Sequence, residues 1–256
     1  MMAQGDLLLM PRRVIFEGSK RYEELNLANT GKDTARYVIS LMHIRMKEDG
    51  GFEEISQPDT GDRFADRFVR FFPHSVVLGP GESQTVKIQL TKINELTPGE
   101  YRSHLYFRAI PDNPLLGDEK PANDSGISIR LIPVFGISIP VIIRVGTSNT
   151  QVRISDLSLQ MTEDTIPVLN MTFERSGNMS VYGDISVHYT SAAGKTSLAG
   201  TARGIAVYTS NTTRRFRLTL DTNSGIDYRS GRLSVEYSTG EDLHPVRIAG
   251  KDLELR

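Results

Sequence analysis

Residues 126–145 read GISIRLIPVFGISIPVIIRV, and how this stretch is read decides the fold of the chain. It is the most apolar run in the sequence, yet Arg130, Pro133, Pro140 and Arg144 interrupt it. Those interruptions exclude a membrane-crossing helix, and the abundance of Ile and Val favours a strand. Odd positions carry Ile127, Ile129, Leu131, Phe135, Ile137, Ile139, Val141, Ile143 and Val145, while the even positions are mixed. A period of two lays one apolar row along one face of a strand. Proline has no N–H for a ladder, so two prolines in one long strand point to a sheet edge or to a bulge at Gly136. A long apolar edge attracts other chains unless something covers it. The alternative is an ordinary core strand that bends at Gly136.

Outward from this stretch, the preceding residues alternate strand patterns with turns. Segments 7–16 (LLLMPRRVIF), 21–28, 35–46, 68–78 (broken at Pro73), 84–90 and 101–110 read as strands. Asn29-Thr30-Gly31, Gly79-Pro80-Gly81-Glu82 and Pro98-Gly99 are turn signals. Residues 47–66 read as a long polar connection and 111–125 as a polar loop. After a small polar linker at 146–150, strand patterns recur at 152–159, 168–174, 183–189, 202–209, 213–220, 231–237 and 246–255. Short strands at this spacing, with no helical period, predict an all-β protein of two tandem immunoglobulin-like sandwiches, 1–146 and 147–256.

The composition narrows the function. The 256 residues carry a formal net charge of −1, so no global field recruits nucleic acid or an anionic membrane. Cysteine is absent, which removes disulfides, thiolate zinc sites and cysteine nucleophiles. No segment reads as a membrane span or a signal peptide; Ala3-Gln4 before Gly5-Asp6 resembles the scar of a trimmed, exported precursor.

Signatures of catalysis are missing: there is no G-x-S-x-G elbow, H-E-x-x-H helix, G-x-G-x-x-G turn or EF-hand loop. Ala193-Gly194-Lys195-Thr196 imitates the end of a phosphate-binding loop, but the first glycine of that motif is replaced by Tyr189. His43, His74, His104, His188 and His244 are dispersed. Asp59, Asp62 and Asp66 read as a solvated acidic loop, since their spacing fits no calcium loop. Asn123, Asn170, Asn178 and Asn211 head Asn-x-Ser/Thr triplets that matter only in a glycosylating pathway. Arg214, Arg215 and Arg217 read as a solvated basic edge rather than a nucleic-acid site. The sequence reads as a non-enzyme with no cofactor and no metal.

Four stretches of the first half resemble the periplasmic pilus-assembly chaperones, the PapD-like family. They are Arg12-Arg13-Val14-Ile15-Phe16-Glu17-Gly18, Leu25 to Thr30, Phe72-Pro73 through Ile88, and Tyr101 to Pro111, closing on Phe107-Arg108-Ala109-Ile110-Pro111. The apolar stretch 126–145 follows where that family has its donor strand. The resemblance implies a periplasmic protein that binds an incomplete pilus or appendage subunit by lending it a strand. It further implies donors Ile129, Leu131, Phe135, Ile137 and Ile139, and delivery to an outer-membrane assembly platform. The family holds the client's terminal carboxylate on two basic residues in the cleft between its domains. Arg13 matches the first; the second, a lysine, falls near Pro140 here, leaving Arg144 or Arg130 to compensate. No nucleic acid and no membrane insertion are implied, and self-association through the apolar edge is a further expectation. The rival reading is a structural or adhesive immunoglobulin-like module, favoured by the prolines that would interrupt strand addition.

Overall fold

Two immunoglobulin-like β-sandwiches organise the described residues, which are 7–111, 134–162, 166–222, 225–240 and 245–255 of the computed structural model. The chain divides into two compact units. The first comprises Met1–His43, Arg63–Thr97 and Tyr101–Val145; the second comprises Ile44–Asp62, Pro98–Glu100 and Gly146–Arg256.

In chain order the strands up to the linker are β1 (Leu7–Met10), β2 (Val14–Phe16), β3 (Tyr22–Asn29), β4 (Ala35–Met42), β5 (Ile44–Met46) and β6 (Phe52–Glu54). They continue with β7 (Val69–Phe72), β8 (Ser75–Leu78), β9 (Ser83–Leu90), β10 (Gly99–Ile110) and β11 (Gly136–Val145). The first unit stacks a sheet of order β1-β3-β9-β7 on one of order β2-β11-β10-β4-β8, an interleaving typical of immunoglobulin-like sandwiches. Alternation builds the core: Leu25 and Leu27 of β3, Val86 and Ile88 of β9, and Leu105, Phe107 and Ala109 of β10 all point inward and are buried. Phe107→Ala would cost about 3–5 kcal/mol, because a void that size cannot fully collapse.

Two expected single strands each serve both sheets. Segment 7–16 splits into β1 and β2 across Pro11, whose bond to Met10 is cis, and 68–78 splits into β7 and β8 across Pro73. Proline removes a ladder donor at the point where the chain leaves one sheet for the other. Asn29 fastens this region. Buried at the end of β3, its amide donates to the carbonyls of Asp33, Leu78 and Gly79 at 2.8, 3.0 and 3.2 Å. The turn after β8 depends on Gly81, at φ +72°, whose N–H donates to the Asn29 carbonyl.

The expected connection at 47–66 contains structure of its own. β5 and β6 form an antiparallel hairpin pairing Arg45 with Glu53, and Arg45 also bonds Asp59 through two nitrogens. Met46 is buried, and this excursion belongs to the second unit.

The remaining strands are β12 (Gln151–Thr162), β13 (Ile166–Ser176), β14 (Val181–Thr190), β15 (Thr196–Val207), β16 (Thr213–Thr219), β17 (Gly231–Ser238) and β18 (Arg247–Leu255). They form sheets of order β12-β13-β16 and β15-β14-β17-β18 around Leu169, Phe173, Val187, Leu233 and Tyr237. A buried arginine closes one end of this core. Arg175 donates to the carbonyls of Thr209, Gly177, Asn211 and Met179 at 2.7–3.0 Å. Burial lowers its pKa, opposed by the charges of Glu100 and Asp62. Glu100, also buried, accepts from the N–H and hydroxyl of Ser180 at 3.0 and 2.7 Å.

Candidate functional site

The feature of the first unit that calls for a partner is the outer edge of β11. β10 lies on one side of it, and β2 pairs in parallel on the other, but only as Val141↔Val14, Ile142↔Ile15 and Ile143↔Phe16. Among the described strands, none pairs with the outer edge from Gly136 to Pro140. The side chains show the same division. Ile139, Val141 and Ile143 are core residues, whereas Ile137 and Phe135, of the same parity, are 37% and 54% exposed. The apolar row thus runs continuously out of the core and into solvent.

Backbone polarity follows from one hydrogen bond. The Ala109 N–H donates to the Phe135 carbonyl at 2.9 Å, so the peptide groups of Phe135 face β10. Alternation then turns those of Ile137 and Ile139 the same way and turns those of Gly136, Ser138 and Pro140 to the open edge. Pro140 therefore costs the ladder to β10 nothing. Its missing N–H falls on the outer edge, where proline is tolerated, and removes one donor from any strand added there.

Of the expected donors, Phe135 and Ile137 are exposed beside the open edge. Ile139 is instead a core residue at 4% exposure and is not free to enter a partner. Ile129 and Leu131, with Arg130 and Pro133, lie outside the described residues. Gly136 marks the start of the strand, and the ring of Tyr106 on β10 lies where its side chain would stand.

The two expected anchors stand on adjoining strands, apart along the backbone. Arg13, half-buried, directly precedes β2, and the parallel register carried back one residue sets it beside Pro140. Arg144 lies four residues further along, roughly 13 Å by strand rise, and its guanidinium is 4.0 Å from the Glu17 carboxylate. Sequence reasoning missed Tyr106 because a contact between neighbouring strands leaves no local pattern; Gly136 in an apolar run was the available hint.

The other candidates dissolve into structure. Ser103 Oγ, His43 and Asp66 form a serine–histidine–aspartate line with steps of 3.2 and 3.8 Å. Ser103 is fully buried, however, and its oxygen already accepts the Ala65 N–H at 2.9 Å. A hydroxyl sealed in this way cannot reach a substrate. His104 is buried nearby; burial, then the charges of Arg102 and His43, lowers its pKa to about 3. Asp59 bonds Arg45, and Asp62 accepts from the Thr209 hydroxyl at 2.5 Å, so these acids serve the second unit's packing. No group of three potential metal ligands occurs among the described residues. Gly194, at φ +81°, belongs to the turn between β14 and β15, so a strand follows where a phosphate loop needs a helix. A groove of about 980 Å3 in the second unit, lined by Leu157, Met161, Ile226, Tyr228 and Leu255 with Asp227 and Arg229, gathers no reactive cluster. Among the described residues, no helix is long and apolar enough to cross a membrane.

No protein-family model matches the chain, and no curated protein matches it. Solved structures similar to it include the YadV chaperone, at 12% identity over 98% of this chain and 100% of that one, TM-score 0.47. The class 5 fimbriae chaperone CfaA aligns at 15% identity over 98% and 99%, TM-score 0.46. The E. coli chaperone DraB aligns at 13% identity over 98% and 95%, TM-score 0.44. Likenesses this remote carry no functional argument, and the reading of the site rests on the open edge of β11.

Proposed function

We propose that this protein is a chaperone that binds and stabilises an incomplete β-rich subunit of a pilus or similar surface appendage by strand addition. The observation that carries the reading is the open edge at 136–140, with Phe135 and Ile137 exposed in line with the core row. A subunit lacking a strand would gain a ladder from the edge and fill its groove with these side chains, each contributing ~1–2 kcal/mol on burial. No cofactor and no nucleotide enter this account, because burial and backbone hydrogen bonds supply the binding energy. No catalysis enters it either.

The edge also supports a polarity for the client. β2 occupies the same edge from Val141 onward, so an added strand must stop where β2 begins, next to Arg13. A strand running parallel to β11 ends there with its carboxylate beside the guanidinium, a favourable charge-assisted pairing. An antiparallel strand would bring its ammonium group to the same arginine. Arg13 is the anchor in this reading, and Arg144 assists only by neutralising Glu17. Of the expected domains 1–146 and 147–256, the first, less its segments 44–62 and 98–100, is taken as the client-binding domain and the second as its companion. The periplasm as compartment and an outer-membrane platform as recipient follow from the sequence resemblance.

A second reading, a structural or adhesive immunoglobulin-like module, is favoured by one observation: Pro140 withholds an N–H from the edge. Co-expression with incomplete β-sandwich subunits, followed by affinity capture and mass spectrometry, separates the two. A stoichiometric partner retained by the wild type and lost in Ile137→Asp supports the chaperone. A monomer that leaves every such subunit to aggregate supports the module.

A further inference from the structure

Beyond Ile139, β11 comes out of the core: Ile137 and Phe135 are exposed, and β2 does not reach them. A strand end in this position frays unless something holds it to its neighbour. One contact supplies the hold. A side chain built on Gly136 would collide with the ring carbons and hydroxyl of Tyr106, so the ring occupies the space above the glycine. Tyr106 is half-buried on the outer face of β10, opposite Ser40 of β4. An aromatic ring laid across a glycine of the adjacent strand shields that strand's backbone from water and offsets the glycine's weak strand preference. One residue away, the Ala109 N–H bonds the Phe135 carbonyl, the ladder bond next to this contact.

We infer that Tyr106 and Gly136 form a lock that keeps the protruding end of β11 zipped to β10, making Tyr106 a positioning residue for strand addition. The lock fixes which parity faces inward. With it closed, Phe135 and Ile137 extend the core row while Gly136, Ser138 and Pro140 take the opposite face. With it open, the end of the strand must be ordered again during binding, which weakens binding through lost preorganisation. Glycine at 136 leaves the space the ring occupies, and any side chain there would make the ring shift, even though the backbone lies in an ordinary strand. The inference rests on the strand-addition reading, but its structural half is measurable in the free protein.

The test joins hydrogen exchange with binding of a short synthetic peptide of alternating valine and serine that ends in a free carboxylate. In Tyr106→Ala, exchange at the Ala109 amide should rise at least about ten-fold, with the β4–β10 ladder amides unchanged. Tyr106→Phe should behave as wild type, since the ring is the locking group. Gly136→Ala should resemble Tyr106→Ala, and the double variant should be no worse than either single one. Peptide affinity should fall about five- to ten-fold in Tyr106→Ala at unchanged melting temperature and recover in Tyr106→Phe. Unchanged exchange in Tyr106→Ala overturns the lock whatever the client. Raised exchange with unchanged affinity, while Ile137→Asp abolishes binding, overturns the positioning role and leaves the chaperone reading standing. If Ile137→Asp binds the peptide as well as wild type, strand addition fails and the positioning role fails with it.

Discussion

Two exposed strand edges of this protein face the same physical problem and meet it differently. β16 is the outermost strand of its sheet in the second unit, and the excursion 44–62 closes over part of it. The Arg215 N–H donates to the Glu48 carbonyl at 2.6 Å, Thr213 bonds the Glu48 carboxylate, and the Asn211 amide donates to the Met46 carbonyl. β11 receives only the three residue pairs of β2, and its outer edge beyond them carries exposed Ile137 and Phe135. An unpaired edge invites association with other chains, and charge, bulges or a covering segment commonly blunt it. Among the described residues, a basic edge is covered and an apolar one is left open. The difference is one of chemistry as well as cover: the edge at β16 is basic and bonded to a segment of its own unit, whereas the one at 136–140 presents the end of an apolar row.

The comparison breaks first at neighbouring positions of β11. Ile139→Ala should destabilise the first unit by about 2–4 kcal/mol in denaturant unfolding, because it empties core volume. Ile137→Asp should leave stability within about 0.5 kcal/mol, yet weaken client capture at least about 100-fold by carrying a charge into an apolar groove. Equal stability losses at both positions would mean that the core extends to residue 137 and that the edge is not free.

Acid should separate the two units. His104 is buried in the first unit, and its folded pKa of about 3 lies below the ordinary 6.5. The unfolded chain therefore binds a proton that the folded chain excludes, and stability falls as pH drops from 6.5 toward 3. Between pH 7 and 5 the loss should reach about 2 kcal/mol, read from denaturant curves, and His104→Gln should flatten that slope. A slope identical in the variant would assign the acid sensitivity elsewhere.

Smaller effects sharpen the comparison. Arg13→Ala should weaken binding of a strand peptide with a free carboxylate by about ten-fold, the scale of one charge-assisted hydrogen bond. Amidating the peptide should cost wild type the same factor and the variant nothing. Pro140→Val restores an outward N–H and should tighten client binding by up to about five-fold, near 1 kcal/mol; no gain would show that added strands stop short of residue 140. At the covered edge, Glu48→Ala should cost under about 0.5 kcal/mol, since its side-chain contacts are solvent-exposed and its backbone bond survives.

Much of this protein was legible in the chain. Alternating apolar positions and glycine–proline turns marked most strands, because both are local consequences of strand geometry. The conflict between prolines and an apolar row marked 126–145 as either a sheet edge or a core strand bending at Gly136; of its described part, Val141–Ile143 are covered by β2 and both readings hold in part. Sequence also marked the Pro73 break, although not that Pro11 and Pro73 divide strands between opposite sheets. Local pattern records where a ladder ends, but not which sheet the chain joins next.

Tertiary structure alone decided the rest. It split one uniform apolar row into core (Ile139, Val141 and Ile143) and open edge (Phe135 and Ile137), because burial depends on where the opposite sheet stops. It turned Pro140 outward, since facing depends on which side β10 lies. It separated Arg13 from Arg144 by four residues of strand, drew the polar excursion 44–62 into the second unit and laid Tyr106 over Gly136. The sequence by itself determined the all-β character and singled out the apolar stretch that ends in β11, because periodicity and turn chemistry act between near neighbours. Which side chains that stretch keeps exposed was decided by contacts between residues far apart in the chain, and those contacts leave no periodic trace.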